Sequence, residues 1–416
     1  MTTKKYDNGL TVIVDTMPSL RSVTAGIMVG TGSAYENPDN NGISHFIEHM
    51  LFKGTIKRSA AQIVSGFDDA GANYNAFTGK EYTCFYFKSI DEKTEDCFDI
   101  LCDLFLNSTF KKDELDRERS VVLEEIGMSK DEPDGVCSDV LARVMYRGSL
   151  GMEILGTPEN VSRFSKTDID KYIQSHYTPS NTVVAFVGNI TEDSAYALVD
   201  KYLGGFISAP KKPRSDYAMQ EFSFGYGEYI HDYEQSELSV AYPSIAFGDD
   251  RSAESAALDC VLGSSMSSRL FQRIREKMGL CYSVYTAPRS SKKRGTFTVN
   301  ANVNVKNAVK CLEAIKEEID GLVKNGVTKE EVERAKMQLK VGCLFGKENP
   351  MNFMLQLLRW RVMRDEDYNI DRTISLIEAL TADGVTEFAR EIFASKPAIA
   401  YVGKDPKANL HKILNV

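Results

Sequence analysis

The first strong signal in the chain is a change of period. Apolar and β-branched residues come first in two short blocks, Leu10 to Val14 and Ser22 to Val29. Blocks of this length and composition predict strands. The turn pair Asn8-Gly9 precedes the first, and Gly30-Thr31-Gly32-Ser33 closes the second. From Ile43 the pattern becomes helical, with Ile43, Phe46, Ile47, Met50 and Leu51 at i, i+3, i+4, i+7 and i+8. That spacing predicts a helix with one buried stripe, and Asn41 or Ser44 offers the cap. Further helices are predicted at Ser59 to Asp69, Thr94 to Leu106 and Lys112 to Met128, and strands at Tyr82 to Lys88 and Thr182 to Gly188. Asp139 to Tyr177 reads as helical, with a break at Gly151 to Pro158. Ser208 to Arg214 is polar, holds two prolines and reads as a linker.

After that linker the pattern starts again. Lys112-Asp-Glu-Leu-Asp-Arg117 matches Lys329-Glu-Glu-Val-Glu-Arg334 at an offset of 217 (329 − 112). Ala185-Phe-Val-Gly188 matches Ala400-Tyr-Val-Gly403 at an offset of 215 (400 − 185). Two matches in the same order at nearly one offset indicate two homologous halves. The expected division is 1–207, a linker at 208–220, and 221–416.

A chain of 416 residues is too long for one ordinary core, which agrees with that division. Its 43% hydrophobic and 26% charged residues describe a soluble globular protein. A net charge of −9 without a basic run argues against nucleic acid as a partner and suits a cationic substrate. No apolar run approaches a membrane-spanning length, and the N-terminus lacks a secretory core, so no membrane partner is expected. The eight cysteines form no Cys-x-x-Cys and no disulfide-like cluster. They predict reduced thiols and a cytoplasmic location.

The chemistry lies on the helix at Ile43. It carries His45-Phe-Ile-Glu48-His49, and at about 100° per residue these two imidazoles and the carboxylate share an arc of roughly 100°. The arc faces almost opposite the apolar stripe. Two imidazoles one turn apart can hold one Zn²⁺, and Glu48 can take a proton from a water beside it. The competing reading is a solvated polar face. Zinc would need one more protein ligand. The charged helix from Lys112 offers Glu114, Glu118, Glu124 and Glu125, with Glu118 and Glu125 two turns apart on nearly one face. The second half repeats that helix without the ligand set: Ala335 stands at the Glu118 offset and Gly342 at the Glu125 offset.

Taken together, Gly42-Ile-Ser-His-Phe-Ile-Glu-His-Met-Leu-Phe-Lys-Gly-Thr55 and Glu118-Arg-Ser-Val-Val-Leu-Glu-Glu125 resemble the pitrilysin-type zinc peptidases, in the branch of mitochondrial processing peptidase subunits and their bacterial homologues. The resemblance implies one Zn²⁺ per chain held by His45, His49 and Glu125, with Glu48 as general base and Glu118 supporting a metal-binding His. Gly71-Ala-Asn-Tyr-Asn-Ala-Phe-Thr78 is similar to the family's edge strand, against which the substrate backbone is laid, through Asn75 and Ala76. Without the resemblance it would read as a Gly/Asn-rich turn. Ser268 to Tyr282 resembles the family's Arg/Tyr segment, which maps onto Arg275 and Tyr282 as substrate-binding and oxyanion-stabilising groups.

The implied fold is α+β, two halves in a clam-shell arrangement, each a mixed, mostly antiparallel sheet covered by helices. The implied activity is hydrolysis of internal peptide bonds in unfolded peptides or presequences, inside a chamber closed by a homodimer. A non-catalytic assembly subunit of the same fold is the alternative. Two segments depart from the family: Ser149 to Thr157 lacks the His-Pro often found before Leu-Gly, and Lys347-Glu-Asn-Pro-Met351 lacks the usual Ser/Thr richness.

Overall fold

Residues 1–414 are described in the computed structural model. The two predicted apolar blocks are strands, β2 (Thr11–Thr16) and β3 (Ser22–Val29), preceded by the short β1 (Thr2–Lys5). The stripe from Ile43 forms α1 (Ile43–Leu51), and all five of its apolar residues are buried. Next come α2 (Ala60–Asp69), β4 (Asn73–Thr78), β5 (Thr83–Ile90), α3 (Thr94–Asn107) and α4 (Lys112–Ser129). Ser59 caps α2 through a capping box with Gln62. The predicted broken helical region resolves into α5 (Pro133–Met145), α6 (Pro158–Arg163) and α7 (Lys166–His176). Its start lies six residues earlier than the pattern suggested, because Pro133 suits the first turn of a helix. The half ends with β6 (Thr182–Gly188) and α8 (Glu192–Ile207).

The second half contributes β7 (Gly225–Ile230), β8 (Ser236–Ser244), α9 (Ser252–Leu262), β9 (Cys281–Ser290), β10 (Gly295–Val303), α10 (Ala308–Asn325) and α11 (Lys329–Glu348). It closes with α12 (Pro350–Arg364), α13 (Ile370–Glu378), α14 (Ala382–Phe393) and β11 (Ala398–Gly403).

The two sheets share a topology. The first runs β1-β2-β6-β3-β5-β4 and the second β7-β11-β8-β10-β9. In each, one pair is parallel, β2 with β6 and β7 with β11, and the remaining pairs are antiparallel. Each sheet therefore has an equivalent last strand, β4 in the first and β9 in the second. This is the mixed, mostly antiparallel α+β architecture expected of two homologous halves.

Packing groups the chain differently from its linear order. One compact unit comprises 1–127, 152–218 and 346–368, and the other 128–151, 219–345 and 369–416. The first unit therefore takes α12 from the second half, and the second takes α5 from the first. Helix α12 lies along β3 and β6, with Met354 and Leu358 over Gly26 and Val362 over Gly30. Helix α5 lies on β7, β8 and β11, with Val140 and Val144 over Gly227. A Cβ at Gly227 would sit 2.7 Å from Val144, so the missing side chain is what permits the close approach.

Candidate metal centre

The centre is built by α1 and α4 within the first unit. The apolar stripe of α1 anchors it in a core that includes Phe85, Phe87 and Leu101. That leaves the opposite face to His45, Glu48 and His49. The helix start is not held by Asn41 or Ser44 as its cap. Gly42 occupies that position in the left-handed region (φ 96°), without a side-chain cap. A carboxylate just upstream replaces it: Glu36, buried, accepts hydrogen bonds from Gly42 N at 2.7 Å and Ser44 N at 2.9 Å. The amide of Asn41 donates to the same group at 2.9 Å, and Ser44 Oγ shares a 2.8 Å bond with Tyr172. These contacts fix the helix that presents the imidazoles.

Helix α4 brings Glu125 opposite both imidazoles. His49 Nε2 lies 3.4 Å and His45 Nε2 3.6 Å from Glu125 Oε2. The three donor atoms all fall within 4.8 Å of one another. A tetrahedral zinc with bonds of 2.0–2.1 Å spaces its donors at about 3.3 Å. The nitrogen, nitrogen and oxygen set suits that ion in kind, and the two histidine-to-Glu125 distances are close to that spacing. It is the only such cluster of three or more among the described residues.

A second carboxylate on α4 stands behind His49. Glu118, 4% exposed, shares a 2.9 Å hydrogen bond with His49 Nδ1 through Oε1, while Oε2 pairs with Lys53 Nζ at 2.7 Å. Burial favours a neutral Glu118, but the bonds to His49 and Lys53 outweigh it and lower its pKa. For His49, burial lowers and the carboxylates of Glu118, Glu125 and Glu48 raise, with a net rise. His45 moves the other way: burial, then repulsion from His49, holds it down at about 3. Neutral imidazole is the form that binds a metal. Burial raises the Glu48 carboxyl above its ordinary range, with the hydrogen bond from Thr78 opposing.

The remaining predicted residues fall as follows. Asn75 and Ala76 lie on β4, the last strand of its sheet, which removes the reading of that segment as a turn. The amide oxygen of Asn75 accepts from the N–H of Ala76 at 2.8 Å. Stacking of Tyr74 on Phe67, centroids 4.3 Å apart, ties β4 to α2. Arg275 and Tyr282 belong to the second unit. Arg275 sits on a π-helical segment (Phe271–Lys277), its guanidinium 4.6 Å above the Phe271 ring. Tyr282 is the second residue of β9 and is 78% exposed, not half-buried as a strand residue read alone would suggest.

Three participants were not singled out from sequence: Glu36, Lys53 and Thr78. Lys53 and Thr78 stand inside the two segments quoted above, and Lys53 follows His49 by one helical turn. No pattern pointed to Glu36.

Known proteins resemble this chain along its whole length. The model of "Insulinase (Peptidase family M16)" matches residues 11–158, and that of "Peptidase M16 inactive domain" residues 163–339. The uncharacterized zinc protease YmxG of Bacillus subtilis is 36% identical over 410 residues, covering 98% of this chain and 99% of that one. In fold, the chain is similar to a peptidase M16 inactive domain from Pseudomonas fluorescens, with a TM-score of 0.89 at 20% identity, covering 97% and 98% of the two chains. It is also similar to a chain of Complex III2 from Candida albicans, with a TM-score of 0.86 at 16% identity, covering 100% and 99%.

Proposed function

Because this chain belongs to the insulinase-type peptidase family M16, we propose that it is a zinc metalloendopeptidase that hydrolyses internal bonds of unfolded peptides or presequences. The observation that carries this reading is the convergence of His45, His49 and Glu125, with the Glu48 carboxylate on the same helix coupled to His49 and Glu125. His45 Nε2, His49 Nε2 and Glu125 Oε2 would hold one Zn²⁺. When bound, the ion supplies a Lewis acid that polarises the peptide carbonyl and makes water more acidic.

The chain's own residues then perform the proton work. Glu48 accepts a proton from the attacking water and delivers it to the leaving amine. Burial raises its pKa, which favours uptake of the proton that it must then pass on. Glu118 holds the His49 ring, and so fixes which nitrogen it offers. The edge of β4 at Asn75 and Ala76 would receive the substrate backbone by strand addition, which reads main chain more than side chains. In the resting protein Asn75 occupies the N–H of Ala76 and so blunts an otherwise open edge. Arg275 and Tyr282 would stabilise the oxyanion and bind substrate; the exposure of Tyr282 supports a role outside the core. A homodimeric chamber and a cytoplasmic location complete the proposal. No helix among the described residues is long and apolar enough to cross a membrane.

The likeness in fold to a chain of Complex III2 supports a second reading, a non-catalytic assembly subunit. The retained ligand set and base weigh against it. Digestion of basic, acidic and neutral peptides by wild type and Glu48→Gln, with zinc content measured, separates the two. Wild type should cleave, and Glu48→Gln should bind zinc equally and lose about 100-fold or more in rate. A zinc-loaded Glu48→Gln that cleaves as fast as wild type sinks the mechanism. A Glu125→Gln protein that keeps full zinc sinks the ligand assignment.

A further inference from the structure

We propose that Thr78 is the positioning residue that aims Glu48, and that it ties the base to the same strand on which the peptide is laid. The inference rests on the endopeptidase reading above. Thr78 is the last residue of β4. It pairs with Thr83 on β5, and the next residue closes the turn through a 2.9 Å hydrogen bond from Gly79 N to Tyr82 O. Its backbone is therefore fixed by the sheet. Its β-branched side chain has few rotamers, so the hydroxyl position is also defined.

That hydroxyl donates to Glu48 Oε2 at 2.5 Å. Among the described residues it is the one hydrogen-bond partner of the Glu48 carboxylate. A glutamate has three side-chain torsions, and α1 fixes only the Cα. One anchored oxygen selects a single arrangement of the side chain and leaves Oε1 free to take a proton. A hydroxyl in this position donates to the carboxylate and does not compete for that proton.

Asn75, Ala76 and Thr78 share one strand within four residues. A peptide added to the edge of β4 and the carboxylate that must act on its attacking water are thus located from one rigid reference. A shift of about 1 Å in a reacting group can cost about 100-fold in rate. Loss of the hydroxyl should therefore leave substrate and metal in place but blur the aim of the base.

The test compares wild type, Thr78→Val, Thr78→Ala and Thr78→Ser. Valine keeps the shape without the hydroxyl, alanine removes both, and serine restores the donor. We expect kcat of the valine and alanine forms to fall at least about tenfold, with KM, zinc content and binding of the same peptide to the zinc-free protein unchanged. Serine should return kcat to within about threefold of wild type. Wild-type kcat in Thr78→Val or Thr78→Ala overturns the inference. So does a serine form as slow as valine, or a matching loss of zinc or peptide binding, since these indicate a merely structural role. A zinc-loaded wild type that cleaves no peptide overturns the endopeptidase reading and this inference with it; active wild type with active Thr78→Val overturns the inference alone.

Discussion

At the scale of single residues, the centre depends on groups that touch no metal ligand atom directly. Lys53 pairs with Glu118, which pairs with His49. Removing the ammonium leaves a buried carboxylate with one partner fewer, and the depressed pKa of Glu118 should rise toward its ordinary range. A proton on Glu118 would weaken its hold on the His49 ring. Lys53→Met is therefore expected to weaken zinc binding by about 10- to 100-fold, measured by competition with a chelator at pH 7, and the loss should grow as the pH is lowered. Affinity equal to wild type at every pH would show that Lys53 is a surface charge only. His45, Glu48 and His49 were legible from sequence because helical spacing is a local property. Lys53 was not, because α1 ends at Leu51 and the lysine's partner comes from a helix far along the chain. Glu36 was missed for a different reason: it reaches Gly42 and Ser44 across a short irregular loop, and no regular spacing marks a cap supplied from that far upstream.

At the scale of elements, the two sheets differ in what lies on the face covered by the exchanged helix. Under α12 the neighbours are apolar, as at Gly26. Near α5 the second sheet carries Glu237 on β8, whose carboxyl accepts from the Asn302 amide on β10. Burial, with the charge of Asp134 on α5 adding to it, pushes this carboxyl up to about 7. The fold therefore favours the protonated form. The stability it contributes is fully present below the unfolded value of 4.5, fades as the pH rises, and is gone above about 7. At most about 3 kcal/mol is at stake. Glu237→Gln should abolish this dependence, so its melting temperature should exceed that of wild type at pH 8 by more than at pH 5. Parallel melting curves across that range would show that the carboxyl is solvated in the folded protein. In the first half the type and order of most elements were readable from period and punctuation. The edge strand β4 was not, because Asn73, Asn75 and Ala76 interrupt its strand formers behind Gly71, and pairing with β5 is what makes it a strand.

At the scale of the whole molecule, the repeat tells the order of the halves but not how they share their helices. The amphipathic patterns of α5 and α12 demand a covering partner without saying which sheet supplies it. Each helix packs on the sheet of the other half. Helix α12 buries Phe353, Met354, Leu357, Leu358, Val362 and Met363. At roughly 1.5–3 kcal/mol for each large apolar side chain, that burial is of order 10 kcal/mol. It is comparable with the whole stability of an ordinary domain, about 5–15 kcal/mol. A fragment of residues 1–207 would keep the candidate ligands and the base but expose the face of β3 and β6 that α12 covers. That fragment should not fold alone, despite matching the linear first half of the repeat. It should aggregate or melt without cooperativity, and bind no zinc stoichiometrically. Co-expression with 208–416 should restore a soluble, zinc-binding protein, because the break falls at the end of α8, just before a stretch without helix or strand. A soluble 1–207 fragment with a cooperative melt and full zinc would show that α12 is dispensable, and that the linear halves, rather than the interleaved units, are what fold.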